Sequence, residues 1–117
     1  MFARRWDPQD FHLDEQTAAA SEFGTLVAPA ALVISVMARL SAEEVPLTAT
    51  VAGLGLDQVR FVRPVLPEDR LVQTSEVIAL RPSRSRPDRG IVTARRIIWN
   101  GDDQPVLTCV ATWMVRR

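Results

Sequence analysis

A single cysteine, Cys109, stands in this 117-residue chain, and that scarcity excludes an internal disulfide and any cysteine-built zinc site. It lies in an apolar, strand-like run, where a thiol behaves as a small buried hydrophobe of a reducing compartment. Net charge is also lacking. The 14 basic residues are matched by 14 acidic ones, so no overall field draws the chain to nucleic acid or to an anionic membrane. Long hydrophobic runs are missing: the most apolar helix-length segment, Pro29 to Leu40, has 12 residues, against the ~20 a membrane span requires. Arg4 and Arg5 are followed by Asp7 rather than by an apolar stretch, so no signal peptide or twin-arginine export signal is read and a cytoplasmic location is expected. Gly53 and Gly55 lack the strand-to-helix setting of a phosphate loop.

What is present fits one domain, residues 1–117, with 47% hydrophobic residues and enough chain for a single core. Little net charge opposes self-association, so an oligomer is expected. PAALVISVMARL has only Ser35 and Arg39 as polar members, which predicts a helix, entered through Pro29, that other structure encloses on every side. Ser41 to Glu44 read as its polar exit, and after Pro46 the pattern turns to strands. Upstream, Asp14 is placed to cap a short helix that Glu22 to Gly24 ends.

Four runs, Leu56 to Val65, Leu71 to Leu80, Ile91 to Trp99 and Val106 to Val115, are rich in β-branched and large apolar residues and are punctuated by Pro, Gly, Asp or Asn. In the last, Leu107, Cys109, Ala111, Trp113 and Val115 share one apolar face, which makes Trp113 a candidate core anchor. Asn100-Gly101 starts a turn and Pro82 to Gly90 bridges two runs, so consecutive antiparallel pairing is the economical arrangement. The expected class is therefore α+β, in the hotdog form: an antiparallel sheet wrapped around one buried helix. An open sandwich with the helix on one face is the alternative, and it needs a polar helix face that this sequence does not offer.

The only histidine, His12, follows Asp7 by five residues in WDPQDFHLDE. Pro8 makes an irregular loop the expected form, one in which both side chains can converge. A lone histidine is more often an ordinary structural residue. Beside a carboxylate, however, an imidazole has its tautomer fixed and can take a proton from water near neutral pH. Close by in sequence, the start of the apolar helix offers unpartnered backbone N-H groups, of which Ala30 is the natural candidate because Pro29 has none. An enolate oxygen could be stabilised there. Together these parts fit addition of water to an activated double bond, or its reverse.

The segment FARRWDPQDFHLDEQTAAASEFGTLVAPAAL resembles the hydratase motif of MaoC-like proteins, the (R)-specific enoyl-CoA hydratases and related acyl dehydratases, with Asp7, Gln9, His12, Phe23 and Ala30 at matching spacings. RFVRPVLPEDRL and SRSRPDRGIV resemble further parts of that family, so the likeness covers nearly the whole chain. It implies a hotdog homodimer or higher homo-oligomer acting on an acyl-CoA thioester. The implied reaction is reversible hydration of a trans-2-enoyl-CoA to an (R)-3-hydroxyacyl-CoA, with no metal and no cofactor beyond the coenzyme A of the substrate. Asp7 and His12 would handle the water and its proton, the Ala30 N-H would polarise the thioester carbonyl, and Gln9 would hold the loop.

Phe11 and Phe23 would line the substrate, although packing explains aromatics beside a loop equally well. Arg84 and Arg86 form the tip of an arginine-rich turn with Arg81 and Arg89. They read either as a solvated hairpin or as contacts to the coenzyme A phosphates. Several positions depart from the family pattern. Ala30 replaces a common glycine, Ala38 stands where a serine often faces the Asp/His pair, with Ser35 one turn earlier, Asp10 replaces a frequent proline and Glu68 a usual glycine. The chain also starts just upstream of the hydratase segment, without the family's usual N-terminal strand, so a partner chain is one candidate to cover the sheet edge. A non-catalytic thioester-binding or partner subunit therefore stays open. A hotdog thioesterase is disfavoured because Ala30 to Leu40 holds no carboxylate.

Overall fold

The computed structural model describes residues 2–44 and 50–117, the Glu44 side chain excepted. The expected change of character after Pro46 begins outside the described residues. Three short helices, α1 (Phe2–Trp6), α2 (Asp10–Leu13) and α3 (Glu15–Ala19), precede the long α4 (Ala30–Glu44). The strands β1 (Thr50–Phe61), β2 (Val72–Pro82), β3 (Arg89–Trp99) and β4 (Pro105–Arg116) follow.

Local chemistry sets the helical starts and stops. Asp7 precedes Pro8 and is biased away from helical backbone, so α1 ends at Trp6. The segment between Asp7 and His12 is not the irregular loop expected: Asp10 opens α2, a single turn that carries His12. An acidic residue in a first turn and the extended Gln9 before it favour that turn. Asp14 then caps α3, its carboxylate accepting from the Gln16 and Thr17 amides at 3.4 and 3.2 Å and from the Thr17 hydroxyl. Those bonds, the Thr17 hydroxyl first among them, hold the Asp14 carboxyl below its ordinary value.

Helix α4 follows Pro29, whose carbonyl accepts from the amides of Leu32 and Val33 at 3.0 and 3.2 Å. Val33 and Met37, one turn apart, are buried, whereas Ala31, Ser35, Ala38 and Arg39 on the outer side are exposed. A single chain thus leaves one face of the helix uncovered, contrary to the expected complete enclosure. The physical reason is that two of these four residues, Ala31 and Ala38, commit little area to burial and the other two, Ser35 and Arg39, are polar.

The sheet runs β1-β4-β3-β2, all antiparallel. Consecutive pairing holds for β2 with β3 and β3 with β4, but β1 pairs with β4 and not with β2. Residues 62–71, with Pro64 and Pro67, cross to the far edge instead of turning back. Strand β1 also begins earlier than its apolar run. Gly53 and Gly55, outside the expected run, lie within β1, where β4 supplies ladder partners in Trp113 and Thr112 and register shifts absorb the irregularity. Between β3 and β4 the Asn100 carboxamide oxygen accepts from the Asp102 and Gln104 amides at 2.9 and 3.0 Å, closing the expected turn.

The core lies between α4 and the β3/β4 centre of the sheet: Val33, Met37, Ile98, Val106, Leu107 and Cys109. Each large aliphatic member contributes about 1.5–3 kcal/mol by leaving water. Burial pushes the Cys109 thiol pKa up, with the nearby Arg96 charge pulling the other way. Trp113, expected as a core anchor, is only half-buried. It borders a cavity of about 460 Å³ shared with Met37, Ala38 and Ser41, and the Arg96 guanidinium carbon lies 4.6 Å from its ring centroid. Both sheet edges carry exposed large apolar residues, Leu54 and Leu56 on β1 and Val77 and Leu80 on β2.

Candidate active site

The N-terminal segment is clamped to the rest of the fold at one short stretch. The Val27 amide donates to the Phe11 carbonyl at 3.2 Å, and the Ala28 amide donates to the Val65 carbonyl at 2.8 Å. These bonds place α2 beside the start of α4 and the end of β1. Between them opens a cleft of about 490 Å³, lined by Asp7, Gln9, His12, Ala30, Phe61 and Arg63 among others.

The histidine is held from both sides. Its Nδ1 lies 2.7 Å from the Val27 carbonyl oxygen, and Nε2 lies 3.4 Å from Asp7 Oδ2. A carbonyl only accepts, so Nδ1 carries the proton in the neutral ring and Nε2 keeps its lone pair. The His12 side chain is 6% exposed and that of Asp7 25%, so the carboxylate is the more solvent-facing of the two. Gln9 Nε2 donates to Asp7 Oδ1 at 2.8 Å, fixing the carboxylate from its other side. The Phe11 ring meets His12 edge-on at 4.4 Å and Phe23 at 5.2 Å, so Phe11 packs the pair while also lining the cleft.

Ala30 is the first residue of α4 and borders the same cleft. Its amide has no partner four residues back within the helix, and the helix dipole is positive at that end. The arrangement thus joins a proton acceptor, a carboxylate and an electropositive backbone end around one space. Among the described residues no three His, Cys, Asp or Glu side chains converge as a metal-ligand set.

Two sets of expected residues are not brought here. The Arg84/Arg86 turn lies at the opposite end of the sheet: Val106, which lines the cleft, and Arg116, which pairs with Arg89, stand ten residues apart on β4, about 33 Å at ~3.3 Å per residue. Ala38 faces the second cavity instead of the Asp7/His12 cleft, and the Ser35 hydroxyl turns back to the Ala31 carbonyl at 2.9 Å. Sequence reasoning also missed two participants. The Val27 carbonyl is backbone and has no side-chain signature. Arg63, by contrast, sat in view beside Pro64.

Similarity to known proteins agrees with this geometry. A structure of a MaoC-like dehydratase from Rhodospirillum rubrum superposes with a TM-score of 0.90 and 37% identity, over 99% of this chain and 80% of that one. A monoamine oxidase regulatory protein from Archaeoglobus fulgius gives 0.87 and 26%, over 99% and 78%. The R-hydratase PhaJ1 from Pseudomonas aeruginosa gives 0.76 and 26%, over 99% and 70%. The architecture is the α+β hotdog fold, as expected. Residues 1–97 match the family model described as the MaoC like domain, and the chain belongs to that family.

Proposed function

We propose that this chain is a hydratase/dehydratase acting on acyl-CoA thioesters, interconverting trans-2-enoyl-CoA and (R)-3-hydroxyacyl-CoA. The observation that carries the reading is the ring of His12, locked by Val27 with Nε2 facing Asp7 and the cleft. Water held between Asp7 and His12 gives its oxygen to C3 of the enoyl group while the pair accepts one of its protons. The π electrons move toward the thioester carbonyl, and the Ala30 N-H at the start of α4 stabilises the developing enolate oxygen. The proton then returns to C2, so atoms and charge balance and the pair is regenerated. Similarity to the R-hydratase supports the (R) configuration.

A homodimer and a cytoplasmic setting belong to the same reading. Exposed Leu54 and Leu56 on β1 and the uncovered outer face of α4 leave apolar area that a second copy would bury. No described helix is long and apolar enough to cross a membrane.

The deciding assay follows the absorbance of the conjugated thioester in short and medium trans-2-enoyl-CoA. Loss of absorbance that disappears in Asp7→Asn and His12→Ala supports hydration. Release of free thiol would point to a thioesterase, and inactivity of a folded oligomer that still binds acyl-CoA would point to a binding subunit.

A further inference from the structure

Substrate phosphates need a cation near the cleft, and the turn that carries Arg84 and Arg86 lies at the opposite end of the sheet from it. Apart from His12, the one cationic side chain lining the cleft among the described residues is Arg63. It is exposed, yet its guanidinium is not loose: Nη1 donates to the Pro105 carbonyl at 3.1 Å. The backbone beneath it is pinned as well, with the Val62 amide donating to the Val106 carbonyl at 2.8 Å. Pro64 next to it restricts Arg63 to extended backbone.

One N-H of the five is therefore spent on anchoring, and the planar fork retains donors for a second partner. Charge balance points the same way. Asp7 puts a carboxylate at the cleft, which would repel a polyanionic substrate unless a cation stood close by. From this we infer that Arg63 is the phosphate-binding residue of the site, taking a phosphate ester of the pantetheine-bearing carrier. The inference rests on the thioester reading above and goes beyond it by naming the group that recognises the carrier. Phosphopantetheine is shared by coenzyme A and by acyl carrier proteins, so the experiment must separate the two.

Steady-state kinetics on crotonyl-CoA, crotonyl-4′-phosphopantetheine and crotonyl-pantetheine, with wild type and Arg63→Gln, make the test. Loss of a charge-assisted contact raises KM for crotonyl-CoA about tenfold, leaves kcat within about twofold, and moves KM for crotonyl-pantetheine by less than about twofold. A matching rise for the phosphopantetheine thioester assigns the contact to the 4′-phosphate shared with carrier proteins; a rise for crotonyl-CoA alone assigns it to the nucleotide phosphates. Arg63→Lys, which keeps charge but loses the fork, falls between wild type and Arg63→Gln. Equal KM changes on all three substrates, or none, overturn the inference.

Calorimetric titration of free coenzyme A separates this claim from the reaction itself. Binding weakened about tenfold in Arg63→Gln sustains the inference even if no thioester is hydrated, in which case the hydratase reading alone fails. Equal binding by both proteins, or no binding to wild type, overturns it.

Discussion

His12 Nδ1 donates to the Val27 carbonyl oxygen at 2.7 Å, a bond between residues fifteen positions apart that fixes both the ring's orientation and its tautomer. Because the acceptor is backbone, no side-chain substitution at Val27 removes it, and the histidine alone decides whether it forms. His12→Ala therefore loses the proton acceptor together with one part-buried hydrogen bond. We expect kcat to fall by a factor of about 10² to 10⁴ and stability by about 1 kcal/mol. Asp7→Asn removes a carboxylate but keeps its shape, so kcat falls over a similar range while the thermal midpoint stays within a few degrees. Enoyl-CoA hydration assays and thermal melts check both, and an Asp7→Asn protein of full activity would sink the assignment.

Ile98 is fully buried between α4 and the sheet. Truncation to alanine is expected to cost about 2–5 kcal/mol and Ile98→Val about 0.5–1.5 kcal/mol, the difference reflecting the cavity left behind. Urea unfolding of the two variants measures it, and equal midpoints would contradict the packing described.

How far these features could be read beforehand depends on where their physical cause lies. The Asp14 cap and the Asn100 turn come from neighbouring residues and form where the sequence places them, and of the apolar face of β4 Leu107, Cys109 and Ala111 are buried while Trp113 and Val115 are only half-buried. The Asp7/His12 proximity was legible through spacing and family likeness, although the segment between them is partly a helical turn rather than a loop. Pairing of β1 with β4 was not legible, because a ladder between strands so far apart in the chain leaves no local signal and consecutive pairing is the economical expectation. The remoteness of Arg84 and Arg86 was hidden for the same kind of reason: the direction of a hairpin relative to a distant helix is a property of the assembled sheet.

Cys109 is 2% exposed and its thiol pKa is raised by burial. Native protein should react with a thiol-exchange reagent only at the rate of global or local opening, and fully once denatured. The unfolded chain releases this proton near the ordinary thiol value of 9.0 while the folded one retains it, so the contribution of Cys109 to stability falls as pH rises above that value. Cys109→Ala should flatten that alkaline slope, and fast labelling of the native protein would contradict the buried placement.

Asp14 behaves oppositely. Its carboxyl is held below 3.8 by bonds that the unfolded chain lacks, so its contribution is present above that value and fades as pH falls through the folded one. Asp14→Ala should melt below wild type at neutral pH, and the gap should close in strong acid. A gap independent of pH would show that the cap acts through something other than charge.

Leu54 and Leu56 are 52% and 43% exposed on an edge strand. Replacing both with aspartate should convert an oligomer seen by sedimentation into monomer, because like charges would then face each other across the seam. An unchanged sedimentation coefficient would move the contact to β2 or to the outer face of α4.

The cleft is assembled from a thin N-terminal layer tied within itself by the Phe11–Val27 and His12–Val27 bonds and joined to the segment after β1 by the bond from the Ala28 amide to the Val65 carbonyl. If such a layer peels away without disturbing Ile98 or Leu107, the proposed activity and the folded core should be lost in separate steps. Gentle heating or dilute urea should extinguish turnover before far-ultraviolet ellipticity changes, and amides of α2 should exchange with deuterium sooner than those of β3.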